Sequence, residues 1–482
     1  MDSKTVPDPA NLLHSRPATD RRDDDKGSRH PPWASAPRRG PLIVLSLIIF
    51  LVYVELDGAM RQYILPIVSL TGLSHALPKW RNGTTELGPL KFSDDGTFQL
   101  SIFEDLHFGE NYWDSWGPQQ DINSVKVLEK VLDSDRPDLV VLNGDLITGE
   151  NAFLDNATHV MDMIAGPLVE RGLSWASTYG NHDHQPNLSG QALLEREHMW
   201  PNALTRSMVP GRNAGVTNYY LPVYPNNCTD CSKCAPELLL WFFDSRGGFY
   251  FQEWNEDGSQ VAQPNWVDFG VVEWFQQTNA KLVNKYQKTI PSLAFVHIPT
   301  NASRALQTES KVHPNYQPGI DDDYPLAPQA QGWCTDGVND GTCSYGGQDT
   351  PFMQAIATMP GLMALFSGHD HGATWCYKWE GLIPGMVVAG NGINMCFGQH
   401  SGYGGYGNWI RGARQVLVTQ GKLANLEIDS WIRLESGDIV GDVSLNATYN
   451  EDWYPATPND KTSCPTCNYT IITPMPGTRR AK

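Results

Sequence analysis

The chain has 482 residues, enough for one large catalytic domain with extensions or for two ordinary domains. Its 35 basic and 53 acidic side chains give a formal net charge of −18, and no dense basic patch lies within the region that carries the motifs. This balance argues against a nucleic-acid-binding groove. Small phosphorylated substrates stay compatible with it, because bound metals can supply positive charge locally.

Three segments are predicted in front of the catalytic region. Residues 1–40 are rich in proline and charge and poor in large apolar groups, which predicts a disordered tail. An apolar run at 42–54, extended to residues 41–59, gives about 20 helical residues, enough to cross a bilayer as an uncleaved signal anchor. A cleaved signal peptide and a buried core helix are the alternatives. Residues 60–90 are predicted to form a stalk.

The charges around the apolar run predict its orientation. Two arginines precede it and two acids follow it, which places the N-terminus in the cytosol and the rest of the chain in the lumen or outside the cell. All seven N-x-Ser/Thr glycosylation acceptors follow the run: Asn82, Asn156, Asn187, Asn227, Asn301, Asn446 and Asn468. We therefore expect a single-pass type II membrane protein of the secretory pathway, with a secreted protein as the alternative.

Nine cysteines also follow the apolar run. They cluster as Cys228/Cys231/Cys234, Cys334/Cys343, Cys376/Cys396 and Cys464/Cys467. In an oxidising compartment such clusters favour disulfides over zinc sites, and the odd count leaves at least one thiol unpaired. The sequence leaves the pairing open.

Residues 91–449 are predicted to form the catalytic domain. Strands are expected at 97–103, 138–142, 174–179, 237–243, 292–297, 363–366, 416–419, 431–434 and 439–445, and helices at 122–132, 153–171 and 271–286. The repeated order of strand, candidate ligand and helix is typical of βαβ units, in which functional groups lie beyond the carboxyl ends of the strands. An insertion at about 301–349 is predicted to be an ordered lid or rim, and residues 450–482 an irregular cysteine-containing tail.

Five ordered motifs carry candidate metal ligands. They are Asp105-Leu106-His107, Gly144-Asp145, Gly180-Asn181-His182-Asp183, His297 and Gly368-His369-Asp370-His371. Carboxylate, amide and imidazole groups in these proportions are typical of a hydrolytic site with two divalent or trivalent ions, for which Fe, Zn and Mn are candidates. Asp145 suits a bridging ligand, and His182, held beside Asn181, suits a general acid.

Each of these residues has an ordinary alternative. A single histidine or aspartate after a strand is more often a cap or a turn former, and only the ordered set favours a metal site. Asp183 and Asp370 are expected to support neighbouring ligands or to form turns, and His184 to lie on the pocket rim or surface. The glycine-rich stretch 402–407 fits a phosphate cradle and a plain turn equally well.

The order D-x-H, G-D, G-N-H-D, H, G-H-x-H from about residue 97 to 420 resembles the calcineurin-like metallophosphoesterases. The resemblance implies an α/β fold in which a sandwich of two mixed sheets is flanked by helices, with a dinuclear metal site on loops at one edge. It implies one metal held by Asp105, His107, Asp145 and His371, a second held by Asp145, Asn181, His297 and His369, and His182 as the proton donor.

Residues 368–374, 400–407 and 411–414 are similar to the purple-acid-phosphatase-related branch of fungi and plants. Purple enzymes carry tyrosine where this chain has Thr148, so the resemblance does not imply an iron–tyrosinate centre. It implies a phosphomonoesterase acting on phosphoproteins or small phosphate esters. A phosphodiesterase acting on nucleotides or lipid head groups and a catalytically silent scaffold or binding protein are the alternatives.

Overall fold

A computed structural model describes residues 88–112, 116–150, 152, 157–327, 334, 335 and 343–462. The chain divides into two units, Met1–Thr85 and Glu86–Lys482, and all described residues belong to the second. The predicted tail, the predicted anchor helix and residues 60–87 of the predicted stalk lie outside the described residues. Among the residues that are described, no helix is long and apolar enough to cross a membrane.

The domain contains fourteen strands and six α-helices within the described ranges. The strands are β1 Thr97–Phe103, β2 Leu139–Asn143, β3 Trp175–Thr178, β4 Tyr219–Val223, β5 Leu238–Phe243, β6 Phe249–Trp254, β7 Gln260–Ala262, β8 Ser292–Val296, β9 Leu362–Ser367, β10 Cys376–Leu382, β11 Ala389–Phe397, β12 Gly412–Thr419, β13 Ile428–Leu434 and β14 Ile439–Leu445. The helices are α1 Trp116–Ser134, α2 Met161–Glu170, α3 Gly190–Glu197, α4 Phe269–Tyr286, α5 Asn301–Ala305 and α6 Thr350–Thr358.

The strands form two six-stranded sheets and one small hairpin. The first sheet has the order β14-β13-β12-β1-β2-β3, in which β1, β2 and β3 are parallel and the other pairs antiparallel. The second has the order β10-β11-β9-β8-β5-β4, in which β11, β9, β8 and β5 are parallel and both edge strands antiparallel. Strands β6 and β7 form the hairpin.

Strand β2 explains how the layers stack. Its whole sequence, LVVLN, is buried, as expected for a strand covered on both faces. Leu139 and Val141 lie in the core between the two sheets, whereas Val140 and Leu142 pack in the cluster that contains α1 and α2. On the far side, α4 and α6 cover the second sheet. The layers are therefore helix, sheet, sheet, helix, which confirms the predicted mixed sandwich.

The nine predicted strands are all present, and two of them, β1 and β14, have the predicted bounds. The sequence missed β4, β6, β7, β10 and β11. Strands β6 and β10 are largely exposed or half-exposed, so they lack the apolar run or clean alternation by which strands are recognised. The predicted helix at 153–171 begins, in its described part, as the 3₁₀ turn Ala157–Val160 before α2.

Three disulfides confirm the prediction that cysteine clusters of this chain form disulfides and not zinc sites. They are Cys228–Cys234, Cys334–Cys343 and Cys376–Cys396, and Cys231 forms no disulfide with another cysteine of the described residues. Cys464 and Cys467 lie outside the described residues. Cys376 and Cys396 are paired neighbours on β10 and β11 and belong to the core between the sheets.

The Cys376–Cys396 disulfide closes a loop with a sequence separation of 20. We expect the double variant Cys376→Ala/Cys396→Ala to lower the free energy of unfolding by about 3 kcal/mol, because an open loop of this length gains chain entropy in the unfolded state. Urea unfolding followed by tryptophan fluorescence measures the change. Cys231→Ala is the control and should stay within about 0.5 kcal/mol of the parent; equal stability of the double variant and the control would contradict the prediction.

Candidate metal centre

The first sheet places four of the predicted site positions at one edge. Asp105 and His107 follow β1, Asp145 follows β2, and Asn181 follows β3. Because β1, β2 and β3 are parallel, their carboxyl ends meet at the same edge. The βαβ rhythm of the sequence therefore brings the first three motifs together as predicted.

The second sheet contributes the other three. His297 follows β8, and His369 and His371 follow β9, its parallel neighbour. The two sheets thus supply ligands from opposite sides of the sandwich, and the groups converge where both sheets end. Three overlapping groups of potential metal ligands result, Asp105/His107/His371, Asp145/His297/His369 and His107/Asp145/His182.

The backbone at these loops is unusual. Asp105, His107, Asp145 and His369 have φ values of 52°, 48°, 49° and 74°, in the left-handed region that residues other than glycine seldom adopt. Such residues cost on the order of 1–3 kcal/mol each and cluster at functional sites. A Cβ atom at Gly144 would lie 2.4 Å from the ring of His297, so the glycine of the second motif is required by close packing.

The first half of the site joins two imidazoles and a carboxylate. His107 Nε2 lies 3.2 Å from His371 Nε2, and His371 Nε2 lies 3.5 Å from Asp105 Oδ1. His107 Nε2 is also 3.8 Å from Asp145 Oδ2. All four side chains are at most 4% exposed.

The second half contains the shortest contact between acid and imidazole in the cluster. Asp145 Oδ2 lies 2.9 Å from His297 Nε2, which is 3.7 Å from Asp105 Oδ1. The rings of His297 and His369 are edge to face at 5.6 Å. Asn181 Oδ1 is buried and has no hydrogen-bond donor among the described residues. Asp145 therefore lies between the two halves, where a bridging ligand has to be.

Hydrogen bonds behind the imidazoles set which nitrogen faces the centre. His297 Nδ1 lies 2.8 Å from the carbonyl oxygen of Asn143, and His371 Nδ1 lies 2.9 Å from that of Tyr406. Because a carbonyl only accepts, both Nδ1 atoms donate, and the Nε2 atoms of the neutral rings present lone pairs to the centre. When His297 and His371 are neutral, these lone pairs point toward the carboxylates of Asp145 and Asp105. This arrangement suits cations, and carbonyls behind ligating histidines are typical of metal sites.

The pKa values diverge within the cluster. Burial acts to lower the pKa of His297, but the carboxylates of Asp145 and Asp105 outweigh it and raise that pKa to about 10. Burial and the charge of His297 lower the pKa of His369 to about 3. A proton therefore occupies the His297–Asp145 contact when no other cation neutralises the carboxylates.

His182 lies at the open side of the cluster. Its backbone N–H donates to Asp145 Oδ1 over 2.8 Å, and its Nδ1 lies 2.5 Å from Glu150 Oε1. About a third of each of the two side chains is exposed. Burial acts to lower the pKa of His182, but Glu150 and Asp145 raise it to about 10. Glu150 was not predicted as a site residue, because its only signal in the sequence is its place in the loop five residues after Asp145.

Other motif residues support the loops. Asp183 accepts hydrogen bonds from the backbone N–H groups of Gly180, Leu146 and Ile147, so it holds the second and third motifs together. His184 is buried and lies 3.0 Å from Asp244, so its expected place on the rim or surface is wrong. The position of His184, three residues after Asn181 in the sequence, did not indicate that its side chain is buried.

The stretch 402–407 packs against the site as a turn. Backbone N–H groups of Gly402, Tyr403 and Gly405 donate to Asp105 O, Ser124 Oγ and Glu110 Oε2, respectively. These donors are already used within the protein, so the plain-turn interpretation is favoured over a phosphate cradle. The turn covers two candidate ligands: a Cβ at Gly405 would lie 2.4 Å from His371 and 2.8 Å from His107.

A mixed sandwich with carboxylates and imidazoles clustered on loops at one edge defines the metallophosphoesterase class of fold. A family model described as calcineurin-like phosphoesterase matches residues 105–373. The chain belongs to the calcineurin-like phosphoesterase family.

Relatives confirm the resemblance to the purple-acid-phosphatase-related branch. "Probable inactive purple acid phosphatase 28" of Arabidopsis thaliana is 29% identical over 357 residues, which cover 69% of this chain and 78% of that one. "Phosphatase DCR2" of Saccharomyces cerevisiae is 29% identical over 238 residues, 47% of this chain and 38% of that one. Among solved structures, a dimetal phosphatase from Danio rerio aligns with a TM-score of 0.43 at 13% identity, over 72% of this chain and 98% of that one.

We expect metal affinity to rise with pH. The raised pKa of His297 keeps Nε2 protonated at neutral pH, and ligation has to displace that proton. For each displaced proton, the dissociation constant of the metal should fall about tenfold for every unit by which the pH rises, as long as the pH is below that pKa. Isothermal titration of the metal-free protein with Mn²⁺ at about pH 6 and pH 7 measures the slope.

Asp145→Asn provides the control for this titration. Removing the central carboxylate should lower the number of bound ions, since both halves of the site lose a ligand. Binding by the parent protein that is independent of pH, or an unchanged ion count in Asp145→Asn, would contradict the assignment.

Proposed function

We propose that the protein is a metal-dependent phosphoric-ester hydrolase, and specifically a phosphomonoesterase. One observation carries the proposal: potential ligand atoms of Asp105, His107 and His371, and likewise those of Asp145, His297 and His369, lie within 4.8 Å of one another, and Asn181 Oδ1 is buried with no hydrogen-bond partner among the described residues. Such a cluster suits cations, and two neighbouring cations are the usual means of cleaving phosphate esters at neutral pH. Family membership and the relative named "Phosphatase DCR2" support the same reaction class.

The proposed ligand sets follow the two halves of the cluster. The first ion would be held by Asp105, His107, Asp145 and His371, and the second by Asp145, Asn181, His297 and His369. When bound, two such ions neutralise the phosphoryl oxygens and lower the pKa of water. Fe, Zn and Mn are the candidates. Thr148 Oγ1 lies 3.1 Å from His107 Nδ1, so it orients that ring from behind and supplies no tyrosinate.

His182 is the proposed general acid. Glu150 orients its Nδ1, which leaves Nε2 as the nitrogen that can donate a proton to the leaving-group oxygen. Burial acts to lower the pKa of His182, whereas the carboxylate of Glu150, which is not a proposed metal ligand, raises it and favours the protonated ring. Its partial exposure next to Asp145 places the acid where an alcohol product can leave.

The substrate class is tested with metal-replete, full-length protein, p-nitrophenyl phosphate and bis(p-nitrophenyl) phosphate. Hydrolysis of the first alone is the expected result. Efficient hydrolysis of the second would favour the phosphodiesterase alternative. Ion binding without hydrolysis of either ester would favour the silent binding or scaffold alternative, as would the name of the Arabidopsis relative, "Probable inactive purple acid phosphatase 28".

The acid role predicts a dependence on the leaving group. His182→Ala should keep its metals and lose roughly 10²–10⁴-fold in kcat on alkyl phosphates, but far less on p-nitrophenyl phosphate, whose leaving group needs no proton. Glu150→Gln should shift the alkaline decline of kcat to lower pH, because removing the carboxylate lowers the pKa of His182. Full activity of His182→Ala on alkyl phosphates would exclude this role.

We also propose that residues 41–59 anchor the chain as a type II membrane protein, with the catalytic domain lumenal or extracellular. The charge asymmetry around this segment supports the proposal, and so do the three disulfides. Asn227 is exposed, whereas the side-chain amides of Asn187 and Asn301 donate within the fold.

Glycosylation tests this topology. Protein made in a secretory host should lose apparent mass on treatment with an N-glycosidase, and Asn227→Gln should remove one glycan, because carbohydrate at this exposed site leaves the packing intact. Asn301→Gln is the matched control in the same fold. A cytosolic product without carbohydrate would rule the topology out.

A further inference from the structure

Tyr406 is an exposed aromatic residue stacked on a candidate metal ligand. Its ring lies 4.0 Å from the ring of His371 at an interplanar angle of 11°. His371 is buried, yet 47% of Tyr406 is exposed. One face of the tyrosine therefore covers the imidazole, while much of the remaining ring is accessible to solvent.

The position of this ring is fixed by several hydrogen bonds. Tyr406 Oη accepts from the backbone N–H of His371 over 3.0 Å and donates to Asp323 Oδ2 over 2.7 Å. The carbonyl of Tyr406 accepts from His371 Nδ1. Asp323 belongs to the insertion at 301–349 and also accepts from the backbone N–H of Gly372, over 2.6 Å. The bonds at Oη and at the backbone carbonyl thus hold the ring in one orientation over His371.

The ring lies at the rim of the proposed metal centre. The ring centroids are 4.9 Å apart for His182 and His107, 5.1 Å for His107 and His371, and 4.0 Å for His371 and Tyr406. His107 and His371 are buried, whereas His182 and Tyr406 are accessible. An accessible aromatic ring therefore contacts one buried candidate ligand, as the proposed acid contacts another.

We propose that Tyr406 is a specificity-determining residue whose exposed ring contacts the organic part of the ester and favours planar aromatic groups over small alkyl groups. The inference rests on the proposed phosphate-ester site. Aromatic pairs prefer offset-stacked or edge-to-face geometries, and a ring that is already fixed loses little conformational entropy when it forms such a pair. The insertion reaches the site through Asp323, and under this proposal it contributes to substrate selection by holding the ring of Tyr406 in place.

A binding experiment tests the proposal independently of turnover. Metal-replete, full-length protein is titrated with phenylphosphonate and with methylphosphonate, which carry the same anionic group and differ in the ring. The wild-type protein should bind phenylphosphonate about 3- to 10-fold more tightly. Tyr406→Phe, which keeps the ring, should retain most of this ratio. Tyr406→Leu should bring the ratio of the two affinities close to 1. Because both ligands share the metal-binding group, a general loosening of the site would weaken both equally and leave the ratio unchanged.

Tyr250→Leu is the matched control. Tyr250 lines a separate cavity of about 480 Å³ beside the β6–β7 hairpin, together with Phe249, Phe251 and Arg212. The proposal is overturned if wild-type protein shows no preference, if Tyr406→Leu keeps it, or if Tyr250→Leu abolishes it. Failure of the phosphatase proposal is distinguishable: the phosphonates would then show the same ratios while no ester is hydrolysed.

Discussion

The close packing of carboxylates and imidazoles in one buried cluster is the constraint on which this site depends. Asp145 Oδ2 lies 2.9 Å from His297 Nε2, and two imidazole nitrogens of the other half lie 3.2 Å apart. Backbone carbonyls accept from Nδ1 of His297 and of His371, so that Nε2 of each ring faces the centre. Bound cations or protons have to hold these groups together, because burial prevents water from screening them.

The surrounding fold supplies the rigidity that such an arrangement requires. The candidate ligands follow strands of two sheets whose cores are closed by helices on both outer faces. Asp183 ties two ligand loops together through three backbone N–H groups, and four ligands lie in left-handed backbone conformations. These conformations are unfavourable for an isolated chain and persist because the packing around them over-determines the geometry.

The sequence predicted those parts of the molecule that depend on short-range pattern. Apolar runs such as 238–243 and 292–296 identified buried strands, and the motif order predicted seven candidate ligands, six of which lie in the groups of potential metal ligands at one edge. Long-range partners left no such signal. Glu150 and Tyr406 are ordinary residues of polar loops, and only the folded chain brings them to His182 and His371. Half-exposed strands such as β10 were missed because their burial pattern is irregular.

The strand order also has a consequence for biosynthesis. β1 carries the first ligands, yet its antiparallel neighbour is β12, at residues 412–419, and the last ligands follow β9. A ribosome releases the N-terminal segments first, so Asp105 and His107 emerge long before their partners in the second sheet. The complete ligand set can exist only after nearly the whole domain has been translated. Metal loading is therefore a late event in maturation, and the nascent chain has to keep a cluster of uncompensated acids and imidazoles hydrated until the sandwich closes.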